Sequence, residues 1–161
     1  MDRFAIRVSG DQHSVKSLGR DLVIILDTNV VSELMRAVAA PNVLKSLRRY
    51  SAEELHTTAI TFAEILYGIE LLPGGKRKNE LVSGSERLFK VVLGGRILAF
   101  DEHGAELFSA IAADRRKRGR PIAELDAQIA AIARLHGAVL ATRNTADFED
   151  CGIRLVNPWV D

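Results

Sequence analysis

Very little in this chain would staple it, anchor it or hold a soft metal. A single cysteine among 161 residues, Cys151, excludes an internal disulfide and any zinc site built on several thiolates, which fits a reducing compartment. No apolar run approaches the ~18 residues of a membrane span. Met1 to Asp21 also lack the apolar stretch of a secretory signal, so the expected setting is the cytoplasm, away from membranes. Neither sign of charge dominates. With 22 Lys and Arg against 21 Asp and Glu the net charge is +1, and the overall balance names no partner. The 4 histidines (His13, His56, His103, His136) show no metal-ligand spacing. There is no G-x-S-x-G elbow, no H-E-x-x-H and no P-loop, which leaves serine-nucleophile, zinc and nucleoside-triphosphate chemistry without support. Aromatic residues make up 6% of the chain, with little of the interleaving that single-strand stacking platforms use.

The chain does have material for one well-packed, soluble domain: 47% hydrophobic and 27% charged residues in a length typical of a single core. Val23-Ile24-Ile25-Leu26 reads as a buried strand running into Asp27-Thr28-Asn29, with Thr28 or Asn29 as cap of a helix over Val30–Val38. Pro41 opens a short helix through Val43, Leu44 and Leu47. His56–Ile60 reads as a second strand, followed by a helix with Ile65, Leu66, Ile69 and Leu72 at 3–4 spacing, ended by Pro73-Gly74-Gly75. Further helices are predicted over Lys76–Val92, Glu102–Arg118 and Ile122–His136, the last with Leu125, Ile129 and Ile132 on one stripe. Strands are predicted at Ile97–Phe100, Ala138–Thr142 and Ile153–Val156. Strand–helix alternation with continuous apolar strands predicts a three-layer α/β/α domain around a mostly parallel sheet of four to five strands.

Such sheets bind ligands at the carboxyl ends of their strands, and acids fall there. Asp27 follows the first strand, Glu64 lies in the first turn of the helix after the second, Asp126 lies early in a helix, and Asp147 follows the fourth strand. Carboxylates gathered in one cleft raise one another's pKa, and a divalent cation relieves that repulsion. An all-oxygen set without His or Cys suits Mg²⁺ or Mn²⁺, and such a site suits metal-assisted phosphodiester hydrolysis. Each acid also has a purely structural reading. Asp27 could cap a helix or open an Asx-turn, and Thr61-Phe62-Ala63-Glu64 fits a capping box. Asp126 could answer a helix dipole, and Asp147 could belong to an ordinary turn.

Ile25-Leu26-Asp27-Thr28-Asn29-Val30-Val31-Ser32-Glu33 resembles the opening motif of PIN-domain nucleases, in particular VapC-type toxins and their FitB-like relatives. Three more segments agree in order: Thr61 to Gly68, Pro121 to Ala131, and Thr142 to Phe148 with Asn157-Pro158-Trp159 behind it. The resemblance spans Val23 to Trp159. It implies Asp27, Glu64, Asp126 and Asp147 as metal-binding acids, with Thr142 and Asn144 as helpers that orient water or phosphate. It also implies a homodimer, an RNA substrate, and a small antitoxin through which operator DNA is bound. Residues 1–21 are expected to form an N-terminal extension to a domain over 22–161, either disordered or upstream of a native start at Leu22 or Val23.

The run Arg115-Arg116-Lys117-Arg118-Gly119-Arg120 is expected to be a solvated face or a patch that tracks RNA phosphates beside the acids. Lys45, Arg48, Arg49 and Lys76 to Lys78 are weaker candidates. Two other functions remain open at this level. One is a haloacid-dehalogenase-like phosphatase, although its D-x-D motif would need an acid where Asn29 stands. The other is a non-catalytic dimeric partner that completes an antitoxin repressor.

Overall fold

The computed structural model describes residues 22–161; the expected N-terminal extension, residues 1–21, lies outside them. The chain runs β1 (Ile24–Leu26), α1 (Thr28–Leu34), α2 (Pro41–Leu47), β2 (Leu55–Thr58), α3 (Ala59–Glu70), α4 (Lys76–Arg87), β3 (Ile97–Leu98), α5 (Glu102–Lys117), α6 (Glu124–Leu135), β4 (Val139–Ala141) and β5 (Arg154–Val156). A π-helical turn at Leu88–Val92 continues α4, and 3₁₀ turns cover Ala52–Glu54 and Thr145–Phe148. The strands form one sheet in the order β3-β2-β1-β4-β5, with every pairing parallel. The expected α/β/α domain with a parallel sheet is what the chain forms. Among the described residues no helix is long and apolar enough to cross a membrane.

The apolar pattern builds the layers directly. Side chains alternate across a strand, so Ile24 and Leu26 of β1 enter one core with Val30, Leu34, Val43 and Phe89, while Ile25 enters the other with Ile111, Ile129 and Ile132. β1 is central and fully buried because both of its faces and both of its edges are covered. Helix α6 buries Ala127, Ala130, Ala131 and Ala133 together with Ile129 and Ile132, and small side chains let it pack closely against α5 and the sheet. Gly119 and Gly137 follow α5 and α6 with φ of 72° and 59°, the left-handed geometry that closes a helix and that glycine adopts without a Cβ penalty.

Several boundaries differ from the sequence expectation. α1 begins at Thr28, with Asp27 rather than Thr28 or Asn29 as its cap, and it ends at Leu34 rather than Val38. The buried Glu33 explains the early stop. Its carboxylate accepts from the Ala40 N–H at 2.7 Å and from Arg36 at 3.2 Å, which turns the chain back toward Pro41, the first residue of α2. Ala59 and Ile60 belong to α3, not to the second strand, because the Thr58 side chain caps the helix there. Leu125 is 46% exposed, not inward with Ile129 and Ile132; in the first turn of α6 it is Ala127 that is buried.

Along the sheet, β1, β2 and β3 progress to one side while β4 and β5 lie on the other. The loops after β1 and β4 therefore diverge, leaving a crevice at the carboxyl ends of these two neighbours, the place where open α/β sheets receive ligands. Asp27 and Thr142 are the residues immediately after those two strands.

Candidate functional site

Asp27 is 4% exposed and engaged on both oxygens. Oδ1 accepts from the Thr28 N–H at 2.8 Å, and Oδ2 accepts from the Thr142 hydroxyl at 2.7 Å and from the Asn29 amide at 2.9 Å. Thr142, wholly buried, also accepts from Asn29 at 3.1 Å and from the Asn144 N–H at 3.1 Å. The Asn29 Oδ1 completes the lattice by accepting from the Arg143 N–H at 3.0 Å. Burial pushes the Asp27 carboxyl above the usual aspartate range, the bonds from Thr142, Thr28 and Asn29 pull it back, and the Asp147 charge adds to the upward push. The capping reading of Asp27 and its place in the crevice are thus both true of one side chain. Asn144 takes part through its backbone N–H.

Glu64 reaches the same place from α3. The Thr28 hydroxyl donates to Glu64 Oε2 at 2.6 Å, which ties the helix after β2 to the one after β1. The capping-box reading of Thr61 and Glu64 fails, because α3 starts two residues before Thr61 and the Thr58 hydroxyl accepts from the Thr61 N–H at 3.0 Å. Glu64 therefore lies in the second turn rather than the first, and Thr61 turns its hydroxyl toward those of Thr28 and Thr58, at 3.3 Å each. Thr28, Asn29 and Thr61 are the members of this lattice that sequence reasoning treated only as caps. Their spacing around Asp27 and Glu64 was visible, but their side-chain partners were not.

Asp126, in the first turn of α6, is half-buried, and Asp147 is exposed on the 3₁₀ turn after β4. Burial, then the charges of Asp27, Asp147 and Glu64, push the Asp126 carboxyl up to about 6. Asp126 thus feels the charge of each of the other three acids, and Asp27 feels that of Asp147. Among the described residues, no three carboxylates, imidazoles or thiols stand close enough to hold a metal ion without moving. Mg²⁺ keeps several waters and binds through one or two carboxylates plus substrate phosphate rather than in a closed protein cage. The hard, all-oxygen donors and their mutual repulsion both fit such an ion.

The basic run does not form one patch. Arg115 is 4% exposed. Its Nε donates to the Arg120 carbonyl at 2.8 Å, its Nη1 donates to the Glu149 carbonyl, and Cys151 Sγ lies beside it. Arg118 pairs with Asp114 at 2.8 Å, and Arg120 pairs with Glu149 at 2.7 Å and Asp150 at 3.3 Å. Arg116 and Lys117 remain exposed. The expectation that Arg115 contacts RNA is corrected by its burial: it pins the segment after Asp147, where Asp150 adopts φ 61°. Arg115→Leu is expected to lose about 1–3 kcal/mol of stability, because the Arg120 and Glu149 carbonyls would be left without their donor. Lys117→Ala should stay within about 0.5 kcal/mol, as surface changes usually do. Urea unfolding of the two variants checks the contrast.

An apolar groove lined by Met35, Ile65, Ile69, Leu72 and Leu81 runs between α1, α3 and α4 and ends at Thr28 and Glu64. Residues 24–152 match the family model described as PIN domain. The chain is 37% identical over 137 residues to the VapC ribonuclease Y4jK of Sinorhizobium fredii, covering 85% of this chain and 98% of that protein. It is 38% identical over 139 residues to the toxin FitB of Neisseria gonorrhoeae, covering 86% and 100%. Among solved structures, FitAB bound to an IR36 DNA fragment superposes with a TM-score of 0.79 at 38% identity, covering 85% of this chain and 96% of that one. DNA-bound VapBC from Salmonella typhimurium gives 0.70 at 27% identity, covering 85% and 98%.

Proposed function

Because this chain belongs to the PIN-domain family, we propose that it is a divalent-metal-dependent endoribonuclease and the toxin of a type II toxin–antitoxin pair. Asp27, Glu64, Asp126 and Asp147 are the residues that would hold Mg²⁺ or Mn²⁺, with some closing of the crevice around the ion. The observation that supports this most is Asp126, whose carboxyl is driven up to about 6 by burial and by the other three acids, an arrangement that costs stability unless a cation joins it. The relatives named as a ribonuclease and as a toxin support the activity. The phosphatase reading falls with the family assignment.

A divalent ion held by the four acids supplies the charge that stabilises a phosphodiester under attack by water. The chain's own groups do the positioning. Thr28, Asn29 and Thr142 fix both oxygens of Asp27, and the Thr28 hydroxyl steadies Glu64, so these acceptors need little reorganisation as charge develops. One of the four acids would also accept a proton from the attacking water, and half-buried Asp126 is the candidate.

An antitoxin is the second partner, and operator DNA is reached through it, in keeping with the FitAB and VapBC complexes with DNA. The groove that ends at Glu64 would receive an apolar antitoxin segment and so block the acids. Tyr67 and Leu71, 66% and 67% exposed at the end of α3, offer an apolar face for a homodimer. Phe62 packs against Phe89 at 4.7 Å and belongs to the core instead.

Purified protein, free of antitoxin, is expected to cleave total RNA in Mg²⁺ or Mn²⁺ and to stop in EDTA. Asp101→Asn should cleave normally, because Asp101 caps α5 beside the edge strand and takes no part in the crevice. Absence of cleavage with every divalent ion tried would leave the non-catalytic co-repressor as the better account.

A further inference from the structure

Arg143 stands between Thr142 and Asn144, and among the described residues its guanidinium meets no carboxylate. Arg118 and Arg120 differ, their charges being met by Asp114, Glu149 and Asp150. Its partner is a ring: the guanidinium carbon lies 4.0 Å from the centroid of Trp159. The backbone on either side is fixed. The Arg143 N–H donates to Asn29 Oδ1 at 3.0 Å, and its carbonyl accepts from Asn157 at 3.4 Å. Trp159 is held in turn, its N–H donating to Asn157 Oδ1 at 3.1 Å and its carbonyl accepting from Asn42 at 3.1 Å, while its ring packs against the core under β1.

The residue is exposed, and a guanidinium held over a ring still has N–H groups with which to bind phosphate in a bidentate manner. A polyanion approaching four carboxylates meets repulsion, and an exposed cation on the residue next to Thr142, with its backbone tied to Asn29, would offset part of it. We propose that Arg143, held over the Trp159 ring, is a phosphate clamp that seats the RNA backbone at the edge of the carboxylate crevice. This rests on the reading of the chain as an RNA-cleaving enzyme. Arg116 and Lys117 offer charge without such a platform, Arg118 is paired with Asp114, and Arg115 offers none at the surface.

Binding of a fluorescein-labelled 12-nucleotide single-stranded RNA to the Asp27→Asn protein separates affinity from turnover. Adding Arg143→Ala is expected to weaken binding about tenfold and to lower the slope of log Kd against log salt by about 0.7, the loss of one phosphate contact on a single strand. Arg143→Lys should fall between, keeping the charge but losing the fork, and Trp159→Leu should weaken binding about threefold by releasing the plane. Both backbone bonds of Arg143 survive these substitutions. Mn²⁺ affinity by calorimetry, measured in proteins with Asp27 intact, should therefore not change, whereas a merely structural role would lower it. RNA binding that ignores Arg143→Ala, or Mn²⁺ affinity that falls with it, would overturn the clamp. So would a poly-glutamate peptide that loses affinity while the RNA does not, which would give the residue to an acidic protein partner. If the unsubstituted protein neither cleaves nor binds RNA, the enzymatic reading fails as well. If it cleaves and Arg143→Ala is indifferent, the clamp alone fails.

Discussion

Asp27→Asn is expected to reduce RNA cleavage by at least about 100-fold while the protein stays folded. A metal-held phosphodiester transition state draws several kcal/mol from charge neutralisation, and each ~1.4 kcal/mol is a factor of ten in rate. The substitution removes the negative charge at the centre of the crevice and turns one acceptor into a donor facing the Asn29 amide and Thr142. The fold should tolerate the change because two effects oppose each other. The bond from Asn29 is lost and that from Thr142 must rearrange, costing about 1–2 kcal/mol, while the penalty of a buried charge held above its usual pKa disappears. The melting temperature in EDTA should then move by no more than about 2–4 °C, the shift expected for ~1 kcal/mol in a domain of this size. Initial rates on a defined RNA, with thermal melts of both proteins, check the pair. Full activity in Asp27→Asn would remove Asp27 from the chemistry, and an unfolded variant would reassign it to the cap of α1.

Asp27 also shows where sequence reasoning stops. That a carboxylate follows the central strand was legible, because a short apolar run ending in Asp-Thr-Asn can be read without coordinates. Asp101 looks the same in sequence, following Ile97-Leu98-Ala99-Phe100, but it ends an edge strand and only caps α5 through the Gly104 N–H at 2.9 Å. Strand order decides between the two, and strand order is a long-range property. Glu64 illustrates a different limit. A capping box and a crevice acid have the same local spelling, and a three-residue shift of the cap, from Thr61 to Thr58, settles which pattern applies. The basic run fails for a third reason: charge patterning cannot tell which arginine of α5 faces inward, and Arg115 turned out to be buried under the segment that carries Asp147. Hydroxyl partners such as Thr28 for Glu64, 36 residues apart, are beyond any local reading.

Stability of the metal-free protein should rise on acidification from about pH 7 to pH 5, and saturating Mg²⁺ should remove that rise. Asp126 carries the argument. Its carboxyl stands at about 6 in the folded protein against 3.8 for an unperturbed aspartate, so the folded state binds the proton more tightly than the unfolded chain. Stability linked to this group is therefore greatest below about pH 4 and is lost as pH climbs through 6, the reverse of an aspartate in a salt bridge. The group is only half-buried, so solvent screening shrinks the effect and only its sign is predicted. A cation bound among the acids replaces the proton as the relief of their repulsion. Its stabilisation should then be larger at pH 7.5 than at pH 5, where protons compete for Asp126. Thermal melts at the two pH values, with EDTA or with 10 mM-scale Mg²⁺, give four numbers whose pattern decides the matter. Asp126→Asn should flatten the EDTA profile by removing the titrating group and should weaken the response to Mg²⁺. An EDTA profile that falls on acidification in the unsubstituted protein and is unchanged by Asp126→Asn would mean that the four carboxylates do not press on one another, and the case for a cation among them would go with it.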